Sequence, residues 1–256
     1  MTLYSSFRAE LLKISRSHAW LLTFLFAAIV PVIMTIVFEA DTLDDINKLK
    51  GDPWNKYFEQ ARMPLSVVFL PLFILLCSTL LPQIEHRNNT WKQVLTSPQR
   101  LWQIYLSKFL VVQLLILVFL LAYLPLMYLS AWLFGTIYPV FQFADHALNW
   151  KLVVMNILET YVSVFAIAAI QFWLGMRFRN FIIPLAIGLV LWFVSCILLM
   201  EMHSTTARYF PFSLPILINF SKYQFMLGTL LWCSVAYMVG FTAIGYADFT
   251  MRKAKG

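Results

Sequence analysis

Six apolar runs, at roughly 19–38, 63–84, 109–134, 152–176, 181–200 and 226–247, constrain what this chain can fold into. Each reaches the length of about 20 residues that an α-helix needs to cross about 30 Å of hydrocarbon. Only the fourth contains an Asp, Glu, Lys or Arg, and that residue is Glu159. The runs do not alternate apolar and polar positions as membrane barrel strands do. Helices, which satisfy their backbone groups internally, are then the spanning element. The expected fold is an all-α integral membrane protein with six transmembrane helices. With no repeat, low-complexity tract or linker visible, residues 1–256 read as a single transmembrane domain.

Composition points the same way. Hydrophobic residues make up 61% of the chain and charged residues 12%, against about 25% charged in an ordinary soluble domain. A soluble protein of this size would lack the polar side chains its exterior requires. The first run is longer than the usual 7–15 residue apolar stretch of a signal peptide. Phe38-Glu39-Ala40 is also a poor cleavage site, so the run is expected to stay in the protein as a span.

Lys and Arg separate the two membrane faces. Arg8, Lys13, Arg16, Arg87, Lys92, Arg100, Lys108, Arg177, Arg179, Arg252, Lys253 and Lys255 fall on one side. Lys48, Lys50, Lys56, Arg62, Lys151, Arg208 and Lys222 fall on the other, among most of the acids. The richer side is expected to be cytoplasmic, which puts both termini inside. The net charge of +7 is spread over short inter-span segments rather than one dense patch, so nucleic-acid binding is not expected. Trp20, Trp102 and Tyr105 on the inner side, and Trp132, Tyr138 and Trp150 on the outer, read as an aromatic belt.

Three segments between the runs carry patterns of their own. Before Trp20, the residues Leu3, Phe7, Leu11 and Ile14 share one helical face, which predicts an amphipathic helix on the inner membrane surface or a cytoplasmic extension of the first span. The mixed stretch from Glu39 to Arg62 reads as a small outward excursion, with Gly51-Asp52-Pro53 as a turn. The apolar stretch Tyr209 to Phe220 is too short to span and is broken by Pro211 and Pro215, so it reads as a re-entrant or interfacial element on the outer side. Pro31, Pro71, Pro125 and Pro184 fall within spans, where neighbouring groups can satisfy the freed carbonyls.

The stretch from Gln83 to Lys108, QIEHRNNTWKQVLTSPQRLWQIYLSK, is the most informative. Asn88, Asn89 and Thr90 are capping candidates, and Trp91, Val94 and Leu95 form an apolar stripe. Ser97-Pro98 ends this short helix, and Leu101, Ile104 and Tyr105 lead into the third span. An amphipathic helix between two spans must rest its apolar face on lipid or in a protein groove.

This segment resembles the cytoplasmic loop of ABC-2 type permeases. In that family a Glu follows the second span, a Thr and an aromatic or aliphatic residue come soon after, and a short coupling helix ends in a Leu-x-x-Pro-like turn. A Lys then opens the third helix. Glu85, Thr90, Trp91, Leu95, Pro98 and Lys108 carry the match. His86-Arg87-Asn88-Asn89 stands where the family often has a Gly before the Thr. The overall plan of a basic amphipathic start, six spans and a proline-containing outer element is similar to that of the short permeases, some of which serve self-protection against lantibiotics or bacitracin.

The resemblance implies a permease subunit in a bacterial cytoplasmic (inner) membrane, paired with a second permease subunit (homo- or heterodimer) and driven by separate ABC ATPase subunits. It implies export, with peptide antibiotics, drugs or lipid-like molecules as candidate substrates. Glu85, Arg87, Thr90, Trp91, Lys92, Leu95, Pro98 and Arg100 become the candidate ATPase-coupling residues. The chain has no G-x-x-x-x-G-K-[ST] motif, so ATP hydrolysis is expected from another chain and this chain is not expected to be an enzyme.

Other chemistry finds little support. Glu159 is either an interfacial residue near the outer end of its run or part of a pathway. Gln171 suits interhelical hydrogen bonding and packing. His18, His86, His146 and His203 lack ligand spacing, and Cys77, Cys196 and Cys233 lie apart inside apolar runs, so neither metal, cofactor nor disulfide is expected. A stand-alone secondary transporter or channel is the alternative reading, but that class usually carries several mid-membrane ionisable groups and internal repeats.

Overall fold

The structure, a computed structural model, describes residues 2–15, 17–40, 49, 51–87, 99–200 and 205–253. Within them the chain is helical, without strands, and six helices are long and apolar enough to cross a membrane. The helices are α1 (Leu3–Ser15), α2 (Ala19–Ala40), α3 (Pro53–Pro64), α4 (Leu70–Arg87), α5 (Leu101–Ile137), α6 (Trp150–Ser163), α7 (Phe165–Arg177), α8 (Ile182–Met200), α9 (Leu214–Leu217) and α10 (Leu227–Lys253). A π-helical turn, Leu65–Phe69, joins α3 to α4 without interruption. Span one is α2, span two α3–α4, span three α5, span four α6–α7, span five α8 and span six α10.

The spans differ in how much protein covers them. In the second, 67% of the apolar stretch is buried, against 11% in the sixth, so span two is the axis of the bundle and span six faces outward. Span one lies along span three, span two along span four, and span six along α7. Close contact between spans two and four depends on Gly175. A Cβ there would run into the Ser78 carbonyl of α4, and small residues are what allow membrane helices to approach closely.

Several expectations from sequence need correction. The segment before span two is not a loop up to Arg62. Asp52 caps a helix that starts at Pro53, its carboxylate accepting from the Asn55 amide at 3.2 Å. Proline at the first helical position suits this start, where its missing N–H is no loss. Gly51, at φ +90°, makes the turn before it. The stretch Pro53–Glu85 of the resulting helix, 33 residues, is about 50 Å long, well beyond the hydrocarbon thickness. Its projecting end, α3, is fastened to span three and to the turn that follows it. The Trp54 indole donates to the Phe143 carbonyl at 2.8 Å and stacks on Tyr128, while the Tyr57 and Ser130 hydroxyls meet at 2.7 Å.

Span three starts at Leu101 rather than at Lys108 or Phe109. Lys108 lies two turns inside, and Tyr105, read as a belt residue, is buried at 1% exposure. Helix α1 exists as a separate element, but its apolar face does not lie free. Ile14 is buried, and Phe7 and Leu11 pack on the core beside α5. The stretch after span five forms short 3-10 turns and α9, with Phe212 to Ile218 buried. It packs with Val67, Ala166, Leu199 and Leu230. The single run 152–176 is two helices, broken at Val164.

Replacing Gly175 with Leu should force spans two and four apart and destabilise the protein by about 1–3 kcal/mol. Gly240→Ala, which meets nothing within 4 Å, should leave it unchanged. Thermal unfolding in detergent micelles measures both.

Candidate functional site

Four charged side chains converge where α1, the end of α4 and the start of α5 meet. Glu10 and Lys13 are three residues apart on α1, one helical turn, so they face the same way. The Lys13 ammonium lies 2.6 Å from Glu10 Oε1 and 3.1 Å from Glu85 Oε1. The Lys108 ammonium lies 2.8 Å from Glu10 Oε2 and also bonds Glu85 Oε1. Each ammonium bridges the two carboxylates, so the four form a closed ring with no net charge.

Burial makes this ring expensive to disturb. The side chains of Glu85 and Lys108 are 2% and 4% exposed, and that of Glu10 12%. Removing one partner of a buried pair leaves a charge uncompensated at a cost of about 3–5 kcal/mol. Glu85 Oε2 is buried without a protein partner. Beside it is a cavity of about 10 Å³, lined by the four charged residues with Ile14, Leu81, Ile84 and Val111. That is room for about one water molecule.

The same end of the bundle holds two further ties. The Gln83 amide donates to the Phe178 carbonyl at 2.9 Å, which links span two to the turn between spans four and five. Asp248 of span six accepts from Trp173 at 3.2 Å and pairs with Arg177 and Arg252, each at 3.1 Å. Arg252 also donates to the Arg177 carbonyl at 2.6 Å, closing the end of α7. Contacts made by α1 and by the end of α10 put both of these elements at one end of the bundle.

Of the residues singled out from sequence, Glu85 is in the ring, buried rather than surface-facing. Arg100 is the N-cap of α5, its amide donating to Gln103 Oε1 at 3.1 Å. Arg87 is the last residue of α4. Thr90, Trp91, Lys92, Leu95 and Pro98, and with them the proposed coupling helix, lie outside the described residues. Glu159 and Gln171 are elsewhere, in span four. Glu159 pairs with Arg62 at 2.6 Å, and Arg62 also donates to Asn156 at 3.0 Å. Gln171, fully buried, donates to Thr79 and to the Pro184 carbonyl, each at 2.9 Å. This ties spans two, four and five.

Sequence reasoning counted Lys13 and Arg62 only as markers of sidedness and did not single out Glu10. One signal was available: Glu10 falls between Phe7 and Ile14 on the apolar stripe of α1, an acid where the pattern calls for an apolar residue.

The fold and this site define a multi-span helical membrane protein whose first helix is locked by charge to spans two and three. A family model described as ABC-2 family transporter protein matches residues 6–195, from α1 into α8. The chain belongs to that family. A comparison with curated proteins finds no match.

Burial opposes the Lys13 charge, but Glu10 and Glu85 more than offset it and hold the ammonium above its ordinary value of 10.5. A raised folded-state value means that the stabilisation is complete below pH 10.5 and is lost as pH rises through the folded value. Wild type should therefore unfold at a higher temperature than Lys13→Met below pH 10.5, and the gap should close above it. A gap that stays constant to about pH 12 would show that the Lys13 charge contributes nothing.

Proposed function

We propose that this chain is the membrane permease subunit of an ABC-2 type exporter, driven by a separate ATPase that docks on residues 88–98. The observation that carries this reading is the charge ring. Glu85 and Lys108 flank that segment and bind each other, so the two spans it joins start from one rigid base. A push on the segment would pass into spans two and three together, and through Glu10 into α1. Glu85 acts in this scheme by holding the base, and Trp91 and Leu95 by seating the helix in a groove of the partner.

The arginine- and lysine-rich face that carries both termini is then cytoplasmic, in a bacterial inner membrane, and a second permease copy or homologue completes the pathway. The chain itself hydrolyses nothing. Peptide antibiotics, drugs and lipid-like molecules are its candidate substrates. A stand-alone secondary transporter is less well supported, because Glu159, the one charged residue within the apolar runs, is neutralised by Arg62.

The test is co-purification from native membranes, followed by reconstitution. The tagged chain should bring down a P-loop ATPase. Trp91→Ala should reduce that capture and uncouple ATP hydrolysis from transport, with membrane insertion unchanged. Transport by the purified chain alone, or full capture and coupling by the variant, would contradict the assignment.

A further inference from the structure

Span four is broken in mid-course without a proline or a glycine. Helix α6 ends at Ser163, Val164 sits at φ −89°, ψ −1°, and α7 begins at Phe165. Tyr161-Val162-Ser163-Val164-Phe165-Ala166 gives no local reason for a break. Helix breaks of this kind arise where a side chain enters the backbone ladder. The side chain here is Ser234 of span six, which is fully buried. Its hydroxyl lies 2.7 Å from the Val162 carbonyl and 3.0 Å from the Ser163 carbonyl, and accepts from the Ala166 amide at 3.2 Å. In hydrocarbon those backbone groups would otherwise each cost several kcal/mol.

Span two departs from the α-helix at the same depth. Its π turn, Leu65–Phe69, places Val67 in one apolar cluster with Ala166 and Leu230. The turn has partners of its own. The Trp192 indole donates to the Val67 carbonyl at 2.7 Å, and the Asn219 amide donates to the Ser66 hydroxyl at 2.6 Å. π turns inside α-helices often accompany functional sites.

The two halves of span four are held differently. Helix α7 is tied to spans two, five and six by Gln171, Gly175, Trp173 and Arg177, as described above. Helix α6 is held to span two by a polar latch, the Arg62 guanidinium on Glu159 and Asn156, and otherwise by packing along span six and the stacking of Trp150 on Tyr128, while α3 is tied to span three by Tyr57 and Ser130. That latch joins the two segments, α3 and α6, that lie beyond the paired breaks.

We infer that α3 and α6 form a hinged gate on the membrane face opposite the termini, turning about the Leu65–Phe69 turn and Val164, with Ser234 as the hinge pin and Arg62–Glu159 as the latch. The gate gives the proposed permease an element that can move while its base stays fixed. The inference rests on the permease reading for its use, but not for its mechanics, which require no ATPase.

The test is amide hydrogen exchange of the full chain in lipid nanodiscs, without nucleotide or partner. Peptides from 53–64 and 150–163 report the gate, and those from 165–177 report the fixed half. Glu159→Gln should speed exchange in both gate peptides by about tenfold, the scale of one lost charge-assisted hydrogen bond, and leave 165–177 unchanged. Ser234→Ala should likewise speed exchange in both gate peptides and expose the amides at 164–167, with 168–177 unchanged. If Ser234→Ala does not fold, Glu159→Gln decides alone. Equal change in both halves of span four, or no change in either, would overturn the hinge. Because no ATPase is present, that result would leave the docking proposal untouched.

Discussion

The structure depends on four charges that cancel, three of them largely buried. Lys108 is acceptable in its buried position only because Glu10 and Glu85 surround it, and the carboxylates are acceptable because Lys108 and the more exposed Lys13 neutralise them. An ionic ring in a low-dielectric setting is costly to leave half-made, so the three elements that supply it are bound to one another in a fixed arrangement. Helix α1 is therefore fitted to the bundle along its apolar face. Its apolar face, Phe7, Leu11 and Ile14, packs on the core in the position that the ring dictates.

From that base the bundle runs to an opposite end with ties of its own, Trp54 to Phe143 and Tyr57 to Ser130 among them. Near the ring the ties are many and short, and include Gln83 to Phe178 and the Asp248 cluster. At mid-depth both central spans leave α geometry, at Leu65–Phe69 and at Val164. Beyond those points span four is held to span two by the Arg62 latch. A rigid base with a hinged far half is an arrangement through which a small movement at one end can be amplified at the other.

Much of this was legible in the sequence, and for a simple reason. The bilayer fixes a minimum apolar length, so the six spans show directly in the runs around 19–38 to 226–247. Their ends were less legible, because a helix does not stop where the hydrocarbon stops. The apolar pattern fades before Pro53 and Leu101, yet Asp52 and Arg100 cap helices there. Glu85 and Lys108 could be picked out by resemblance, but their partnership could not, since it requires the chain to return 23 residues later. The break at Val164 left no trace in its own segment, because its cause, Ser234, is about 70 residues away on another span.

The central claim is that Glu85 and Lys108 act as one unit joining spans two and three. A double-mutant cycle with Glu85→Gln and Lys108→Met, read by unfolding in detergent, tests it most directly. Each single change should cost about 3 kcal/mol. The double variant should recover much of the loss, with a coupling energy of about 2 kcal/mol or more. Additive losses, within about 0.5 kcal/mol, would mean that the two residues are independent and that the shared base does not exist.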